Sequence, residues 1–562
     1  MNRLKNLSLY VMLAAASLFY LPLGSRALWD SDEGRYGEIG REMLELRDWI
    51  SPHLNYVLYF EKPPLMYWLT AASIAVFGPG AFAVRFWNAT FGLLTVGQVI
   101  IFGRRWKNER TGILAGGILA TSLLFYGLTQ FVVLDMALTF WTTLALLAAS
   151  QLFLERAPAR AKRRGYLLAV AVAGGLLTKG PIAFALPFIT IALTLAWTRS
   201  TAGPGVWGKL PWTGMTVVTL LIAAPWYIVV SWRHPFFIPF FFVHEHLARY
   251  FTSVHHRSGP VYYFVPVLAA GFLPWIFFLP KVVITWLGHQ RARMRRDAVG
   301  AMLVIWSGFI FLFFSLSHSK LIGYVLPIIP ALALLLAAEW EEAMDVKPAP
   351  RWMSWGIGAL ILFLSACLVA LKGPLQMHEI ADPILARLAA RSGGLGLALG
   401  MDVFILVGVW GMREAVSCFG GILVAQSLLL CSVAAVAPAL DTYLSVRQIG
   451  ETLHERALPE DRVATYGVSY EDVMQSLPFY AQRRVLVLGE PGELALGLSH
   501  ASDAADWYVP PERAAEALSQ LPGGSWIVTG AEHAEQLLQG PSGESYTLVQ
   551  SQGPYRLLQK NT

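Results

Sequence analysis

The chain has 562 residues, of which 55% are hydrophobic and only 14% are charged. Soluble globular proteins usually have about 25% charged residues, so this composition excludes a chain that is soluble throughout and favours a helical membrane protein with several spans. The three cysteines, Cys367, Cys418 and Cys431, lie in or beside apolar segments. Their spacing is typical of neither a disulfide framework nor a metal site.

Long apolar runs predict about thirteen transmembrane helices. They lie near residues 9–24, 81–103, 111–129, 136–154, 166–179, 181–198, 212–232, 260–285, 298–315, 321–338, 352–371, 394–412 and 418–437. The first run follows Arg3 and Lys5, and Ser25-Arg26-Ala27 is a poor cleavage site for a signal peptide. We therefore interpret it as an uncleaved first helix with its N-terminus in the cytoplasm.

The positions of lysine and arginine indicate the orientation. If the N-terminus is inside, the cytoplasmic loops include 104–110, 156–164 and 291–296, and each of these is rich in Lys and Arg. Short cytoplasmic loops carry such an excess, so the pattern supports this orientation. The remaining cytoplasmic loops are weak, mixed or too short to test it. The outer loops 25–80 and 233–259 would then face the periplasm of a bacterium.

Outer loop 25–80 is neither fully apolar nor loop-like. Ile39, Met43, Leu46 and Ile50 recur at helical spacing with charged residues between them, and 65–77 is an apolar run after Pro63-Pro64. This pattern predicts two helices that lie along the membrane interface. A plain exposed loop remains the alternative.

The composition changes after residue 437. Short β-rich runs at 462–466, 484–488, 525–529 and 546–549 alternate with helical segments at 471–482 and 514–521. This alternation predicts a small C-terminal α/β domain over 438–562, after a transmembrane domain over 1–437. An odd number of spans places the α/β domain outside, in the periplasm.

Ionisable side chains gather at the outer ends of the predicted helices. The first outer loop holds Asp32, Glu33, Arg35, Glu61 and Lys62. Later outer turns add Asp135, Lys179, His244, His246, His255, His256, Arg257 and Lys320. Charges near a membrane are costly, and unrelated surface charges would occur at both faces, so this convergence indicates a functional site. Structural alternatives remain: Asp135 as a helix N-cap, Lys62 as the surface partner of Glu61, and the histidines as a solvated loop.

The residue types at this face suit phosphate chemistry. Lys62, Lys179, Lys320 and Arg35 can hold a phosphate and stabilise charge as it departs, while Asp32 and Glu33 can position an acceptor or accept its proton. The sequence has no Walker motif and no strand followed by G-x-G-x-x-G, so we expect no nucleotide-bound donor or nucleotide cofactor. We also expect no nucleic-acid partner. A lipid-borne phosphate donor suits a site at the membrane surface.

A divalent metal is possible at this face. The candidate ligands are Glu61, His244 and His246, although their spacing matches no HExxH-type signature. The metal therefore stays an open alternative.

Five motifs resemble, in the same order, those of the bacterial lipid A aminoarabinose transferases, which are grouped with protein O-mannosyltransferase-like enzymes of the GT-C fold. They are Asp-Glu-Gly-Arg-Tyr-Gly-Glu-Ile-Gly-Arg-Glu-Met (32–43), Tyr-Phe-Glu-Lys-Pro-Pro-Leu-Met-Tyr-Trp (59–68), Leu-Asp (134–135), Thr-Lys-Gly-Pro (178–181) and Ser-Lys-Leu-Ile-Gly-Tyr (319–324). The segment 244–257 is similar to that family's large outer loop. Gly34 stands where the family commonly has Thr or Ala, and Gly37 where it usually has Ala.

The resemblance implies an inverting transfer of a sugar, most closely 4-amino-4-deoxy-L-arabinose, from undecaprenyl phosphate to lipid A at the periplasmic face of the inner membrane. By motif match, Asp32 would be the principal catalytic carboxylate, Glu61 would support it or hold a metal, and Asp135 would place the acceptor or the donor sugar. The full catalytic set is Asp32, Glu33, Glu61 and Asp135. The substrate- and phosphate-binding set is Arg35, Tyr59, Lys62, Lys179, His255, His256, Arg257, Lys320 and Tyr324.

Two alternatives remain. The same chemistry could act on a protein hydroxyl or another cell-surface glycan. A transporter or flippase is a different class, and it would need ionisable residues near the centres of its spans rather than at their outer ends.

Overall fold

The computed structural model describes residues 2–155, 157–198, 207–248, 259–287, 297–376, 383–468, 475–540 and 543–561. Helices dominate the chain up to residue 436. In chain order they are α1 (Asn2–Tyr20), α2 (Asp32–Leu46), α3 (Leu65–Phe77), α4 (Ala81–Trp106), α5 (Glu109–Thr121), α6 (Leu123–Thr129), α7 (Leu134–Leu154), α8 (Pro158–Lys179), α9 (Ile182–Thr198), α10 (Trp212–Arg233), α11 (Phe264–Gly271), α12 (Leu279–Leu287), α13 (Ala298–Leu316), α14 (Ile329–Ala343), α15 (Arg351–Gln376), α16 (Pro383–Met412) and α17 (Ala415–Val436). Short 3-10 helices lie at Trp207–Lys209, Val261–Tyr263, Trp275–Phe278 and Ile322–Ile328, and a π-helix covers Pro239–Ala248.

Every one of the thirteen predicted apolar segments coincides with helix in the structure. Within the described residues, eight helices are long and apolar enough to cross a membrane: Ala81–Trp106, Leu134–Leu154, Trp212–Arg233, Ala298–Leu316, Ile322–Ala343, Arg351–Leu371, Gly393–Met412 and Ala415–Leu444. Two helix pairs, bent by 66° at residue 122 and by 102° near residues 272–274, meet the same criteria together, which gives up to ten spans if each pair is one span. The chain is therefore a multi-pass membrane protein. The other three predicted spans fall on α1, α8 and α9, which do not meet the same criteria of length and apolarity.

The chain divides into two compact units. The first comprises Met1–Pro22, Asn88–Ala381 and Ala389–Val436, and it contains most of the membrane helices. Its central element is the Ile322–Ala343 segment, which is almost entirely buried, as expected for a helix that is apolar on all sides. Close packing of α4 against α5 depends on Gly112, where a Cβ atom would lie 2.4 Å from the carbonyl oxygen of Ile100.

The second unit comprises Leu23–Trp87, Asp382–Leu388 and Ala437–Thr562. Its first part is the outer loop, and both helices predicted there are present as α2 and α3. They are joined through a short antiparallel hairpin of β1 (His53–Leu54) and β2 (Val57–Leu58). Acidic residues in the first turn of α2 complement the positive end of its dipole.

The C-terminal segment forms the predicted α/β domain. Its strands are β3 (Val463–Tyr466), β4 (Leu486–Leu488), β5 (Tyr508–Val509), β6 (Trp526–Gly530), β7 (Tyr546–Gln552) and β8 (Tyr555–Lys560), in the sheet order β5-β4-β3-β6-β8-β7. The first four of this order are parallel, whereas β8 and β7 are antiparallel. Ala464 pairs with Leu486 and Ile527, and these residues lie in the apolar core of the domain.

Short helices connect these strands. They are α18 (Asp441–Leu444), α19 (Arg447–Arg456), α20 (Leu477–Ala481), α21 (Ala495–His500), α22 (Ala504–Trp507), α23 (Pro511–Gln520) and α24 (Ala531–Gln539). The helix predicted over 471–482 lies partly outside the described residues, and its described end is α20. The predicted helix at 514–521 corresponds to α23.

Sequence-distant hydrogen bonds join the outer loop to the α/β domain within the second unit. Asn55 Nδ2 donates to the carbonyl oxygen of Val485 at 2.8 Å, and its Oδ1 accepts from the Val485 N–H at 2.9 Å. The indole of Trp29 donates to Asp441 Oδ1 at 2.7 Å. The outer loop, which the sequence analysis grouped with the transmembrane domain, therefore packs as part of one compact body with residues 437–561.

Candidate active site

The N-terminal turn of α2 presents an acidic residue and an arginine on one face. Asp32 is the first residue of the helix, and its side chain is 52% exposed. Arg35 follows three residues later, so its guanidinium lies beside the Asp32 carboxylate and donates to Oδ1 through Nη2. The arginine is buried, whereas the carboxylate remains accessible to a substrate.

A second carboxylate, from the α/β domain, also contacts this arginine. Arg35 Nη1 donates to Glu493 Oε2, and Glu493 lies in the short turn Gly492–Leu494 that follows β4. Tyr59 Oη donates to the same Glu493 oxygen at 3.2 Å. Burial alone raises the pKa of Glu493, but the charge and hydrogen bond of Arg35 outweigh it, so that pKa is lowered and the group is ionised.

One N–H group of Arg35 is available to a ligand. Its Nε–H is buried and has no hydrogen-bond partner among the described residues. Buried donors are nearly always paired, so an orphan of this kind calls for an explanation. An oxygen atom of a bound substrate, such as a phosphate oxygen, would satisfy it.

Glu61 and Lys62 belong to the same unit. Lys62 Nζ lies 3.5 Å from Glu61 Oε2 and donates to the Glu61 carbonyl oxygen at 3.0 Å. Both side chains are largely buried, so the pair differs from the solvent-exposed surface pair considered as an alternative. The positive charge of Lys62 also acts on Glu493.

Tyrosines complete the surroundings of Arg35. The rings of Tyr36 and Tyr67 stack with centroids 5.5 Å apart, and both are buried. Burial raises the pKa of Tyr59 and that of Tyr67 well above the usual value, so both hydroxyls stay protonated at neutral pH. The Tyr67 hydroxyl has no hydrogen-bond partner in the described part of the chain. It is a second buried group that a substrate oxygen could satisfy.

Glu33 has a different environment from its neighbour Asp32. Its carboxylate is buried between two arginines: Arg85 Nε and Nη2 donate to it at 2.7 and 2.8 Å, and Arg26 Nη1 donates at 2.6 Å. Burial raises the pKa of Glu33, but the two guanidinium groups outweigh it and lower that pKa to about 2. These contacts favour a structural role, while the catalytic role of Glu33 stays a prediction.

The other predicted residues that the structure describes lie in the first unit, where three of them come together. Lys179, the last residue of α8, places Nζ 2.7 Å from Asp135 Oδ1 and 5.0 Å from the centroid of the Tyr324 ring. Gly323 allows this approach, because a Cβ atom there would lie 2.8 Å from Asp135 Cγ. The N-cap of α7 is Val133, so Asp135 is not the N-cap considered as an alternative.

Lys320, unlike Lys179, contacts backbone carbonyl oxygens rather than a carboxylate. Its buried ammonium donates to the carbonyl oxygens of Ser315 and Ser317 at 2.8 and 2.7 Å, and more weakly to that of Phe314 at 3.5 Å. Lysine often satisfies the last carbonyl groups of a helix in this way, here those of α13. The contacts favour a capping role, and phosphate binding by Lys320 stays a prediction.

Several predicted residues lie outside the part that can be described. They are His255, His256 and Arg257, together with the side chains of His244 and His246. Among the described residues, no three His, Cys, Asp or Glu side chains form a group that could hold a metal ion. The metal prediction therefore rests on these histidines and on Glu61, which lies beside Lys62.

The sequence motifs do not indicate Glu493, Tyr67 or Gln475 as site residues. Gln475 donates to Glu493 through Nε2 at 3.4 Å. One signal was available for Glu493. It lies in the loop after β4, at the carboxyl edge of parallel strands, where α/β domains usually carry their binding residues. Nothing in the sequence indicates which residue of another segment this loop contacts.

Comparisons with known proteins agree with this architecture. The family model for dolichyl-phosphate-mannose-protein mannosyltransferase matches residues 4–247. An undecaprenyl phosphate-alpha-4-amino-4-deoxy-L-arabinose arabinosyl transferase of Pectobacterium carotovorum subsp. carotovorum (strain PC1) is 32% identical over 528 residues, which cover 89% of this chain and 88% of that protein.

Two solved structures are similar over nearly the whole chain. The crystal structure of ArnT from Cupriavidus metallidurans bound to undecaprenyl phosphate superimposes with a TM-score of 0.81 at 27% identity, covering 98% of this chain and 97% of that one. The archaeal oligosaccharyltransferase AglB from Archaeoglobus fulgidus has a TM-score of 0.53 at 13% identity, covering 99% of this chain and 74% of that one. The second likeness concerns the fold alone. These findings confirm the resemblance and the GT-C fold predicted from the motifs.

Proposed function

Because the chain belongs to the family of undecaprenyl phosphate-alpha-4-amino-4-deoxy-L-arabinose arabinosyl transferases, we propose that it moves 4-amino-4-deoxy-L-arabinose from undecaprenyl phosphate to lipid A. The proposal places the reaction at the periplasmic face of the bacterial inner membrane. The Lys- and Arg-rich loops 104–110, 156–164 and 291–296 support this orientation.

A single observation carries the proposal. A buried arginine with an unpartnered Nε–H lies beside a half-exposed carboxylate, so one small region offers both a phosphate ligand and an accessible acid. In the transfer, an acceptor oxygen forms a bond to the anomeric carbon, and the bond from that carbon to the phosphate oxygen breaks with inversion. Undecaprenyl phosphate leaves with the bonding electrons, and Arg35 and Lys62 stabilise its charge.

The acceptor determines what Asp32 must do. A phosphate group of lipid A is already ionised, so Asp32 need not act as a strong base and can hold the cationic amino group of the sugar. A hydroxyl acceptor would instead lose its proton to Asp32. Glu61 lies beside Lys62 and supports its position.

The Asp135–Lys179 pair has a separate task in the proposal. Lys179 binds carrier phosphate, and Asp135 fixes its ammonium through the 2.7 Å hydrogen bond. The ring of Tyr324 covers the ammonium from one side. Lysine has a flexible stem, so these two contacts restrict the ammonium to one position.

The test is a transfer assay with full-length protein in liposomes that contain undecaprenyl phosphate-linked aminoarabinose and lipid A. We expect Asp32→Asn and Lys179→Ala each to lose about 10²-fold or more in kcat/KM, the usual effect of removing a group that acts on developing charge or on proton transfer. Asp503→Asn is the matched control, because Asp503 pairs with Arg484 elsewhere in the α/β domain. Full transfer by both site variants would overturn the assignment.

A second acceptor is favoured by one observation. The family model that matches residues 4–247 describes protein mannosyltransferases. Labelled sugar that appears in protein rather than in lipid A would therefore support transfer to a protein hydroxyl by the same donor chemistry.

A further inference from the structure

We propose that Glu493 of the α/β domain is a positioning residue of the transfer site, which holds Arg35 in competition with Asp32 and so keeps the Asp32 carboxylate available to the substrate. The inference rests on the proposed roles of Arg35 and Asp32. It gives the C-terminal domain an indirect part in catalysis, through Arg35.

The position of Glu493 in the domain supports this role. It follows β4 at the carboxyl edge of the parallel strands, the edge at which α/β domains bind their ligands. The same edge contacts the residues just before α2, because Asp30 accepts hydrogen bonds from the N–H and the hydroxyl of Ser476, both at 2.7 Å. The edge that binds a ligand in other α/β domains here meets the first turn of α2.

Close approach of the two segments requires glycine in α2. A Cβ atom at Gly34 would lie 2.4 Å from the backbone nitrogen of Ser476, and one at Gly37 would lie 3.2 Å from the ring of Phe479. A larger side chain at Gly34 would therefore push the Ser476 segment of the α/β domain away from α2, the helix that carries Arg35.

The two carboxylates bind different nitrogens of Arg35. Nη1 donates to Glu493 and Nη2 donates to Asp32. The side chain of Glu493 is 14% exposed, against 52% for Asp32. Water screens an exposed pair more strongly than a buried one, so Glu493 is the stronger partner of the buried guanidinium.

Glu493 is itself held in place. Tyr59 Oη and Gln475 Nε2 donate to its Oε2 at 3.2 and 3.4 Å. Without the Glu493 charge, Arg35 would keep Asp32 as its carboxylate partner on α2. A guanidinium tends to bind a lone carboxylate through two nitrogens, which would draw Asp32 out of contact with substrate.

This arrangement predicts a specific kinetic result for Glu493→Gln. The amide oxygen can still accept from Arg35, and Arg35 keeps Asp32 as a charged partner, but the negative charge of Glu493 is lost. We expect kcat to fall about 10- to 100-fold, the range of coupling between residues that share a partner. The KM for the polyprenyl phosphate donor should stay constant or fall, because Arg35 and Lys62 then face less negative charge.

The experiment is a double-mutant cycle with full-length protein in the liposome assay, using Glu493→Gln, Arg35→Gln and the combined variant. Glu493 acts through Arg35, so Glu493→Gln should have less than a twofold effect on kcat in the Arg35→Gln background. A loss as large in that background as in the wild type would overturn the proposal, as would a raised donor KM with unchanged kcat. Asp503→Asn controls for the removal of a carboxylate that pairs with arginine in the same domain.

A second variant separates charge from folding. Glu493→Asp keeps the carboxylate, and we expect its kcat to lie between those of the wild type and Glu493→Gln. A kcat below that of Glu493→Gln would mean that the charge is irrelevant and the proposal wrong. Failure of the wild-type protein to transfer sugar would instead refute the proposed function, so the two failures are distinguishable.

Discussion

The variant Glu33→Gln tests whether Glu33 has a structural role, in contrast to the catalytic role proposed for its neighbour Asp32 in the same helical turn. In the folded protein Glu33 is buried and pairs with the guanidinium groups of Arg26 and Arg85. The amide of Gln still offers one acceptor, but both buried arginines lose the negative charge of Glu33, while Asp441 still acts on Arg26. Removing one partner of a buried ion pair usually costs about 3–5 kcal/mol.

The pKa of Glu33 gives an independent magnitude. That pKa is lowered from 4.5 to about 2 in the folded protein. At about 1.4 kcal/mol per unit, the ionised form contributes roughly 3 kcal/mol to the free energy of unfolding. Because the folded pKa is depressed, this stabilisation is complete above pH ~4.5 and is lost as the pH falls toward ~2.

The assay is thermal unfolding of the purified, detergent-solubilised protein across a pH series. A domain of roughly 200 residues loses about 2–4 °C in Tm per kcal/mol, so we expect Glu33→Gln to lower Tm by about 6–20 °C at pH 7. The difference from the wild type should shrink below pH ~4.5. Asp503→Asn, which breaks a half-exposed pair, should change Tm by about 0–4 °C.

A different outcome would refute this reasoning. If Glu33→Gln kept the Tm of the wild type at pH 7 but lost sugar transfer, the carboxylate would act on the substrate rather than on the two arginines. A Tm difference that stayed constant between pH 7 and pH 3 would contradict the assigned pKa.

Two further predictions concern close packing and the lysines. Gly34→Ala should lower the free energy of unfolding by about 1–3 kcal/mol, because its Cβ would meet the Ser476 backbone at 2.4 Å. Gly80→Ala is the control: a Cβ there has nothing within 4 Å, so Tm should stay nearly unchanged. Equal Tm values for the two variants would contradict the packing. Lys320→Met should lower Tm, because each buried carbonyl oxygen that loses its donor costs about 1–3 kcal/mol of stability. Sugar transfer per folded molecule should stay within roughly threefold of the wild type. Lys179→Met should also lower Tm, because the largely buried Asp135 carboxylate loses its lysine partner, but here transfer per folded molecule should fall about 10²-fold or more. A Lys320→Met protein that is stable but inactive would instead support the predicted phosphate contact of Lys320.

The helices and the overall class could be read from the sequence because their signals are local. A run of about 20 apolar residues is long enough to span a bilayer whatever the rest of the chain does. The alternation of β-rich and helical segments after residue 437 likewise predicts an α/β domain without knowledge of its neighbours. The strand β8 and its antiparallel pairing were not predicted, since its pairing depends on β6.

The candidate site was predictable in part. The sequence motifs predicted Asp32, Arg35, Glu61 and Lys62 as residues of one site. In the structure all four lie in the second unit, where Asp32 contacts Arg35 and Glu61 contacts Lys62. It also pairs Asp135 with Lys179 in the other unit. Lys320 is also a lysine near a helix end, as Lys179 is, yet its ammonium binds backbone carbonyl oxygens.

The sequence by itself determined the membrane helices, their charge asymmetry, the α/β domain and the motifs that name the family, because each depends on residues close together in the chain. Tertiary structure alone decided which carboxylate meets which arginine. Neighbouring residues on a helix point about 100° apart, so Asp32 faces Arg35 and water while Glu33 faces two buried guanidinium groups. Glu493 reaches Arg35 across 458 positions of sequence, and such a contact is fixed by packing between segments rather than by any local pattern.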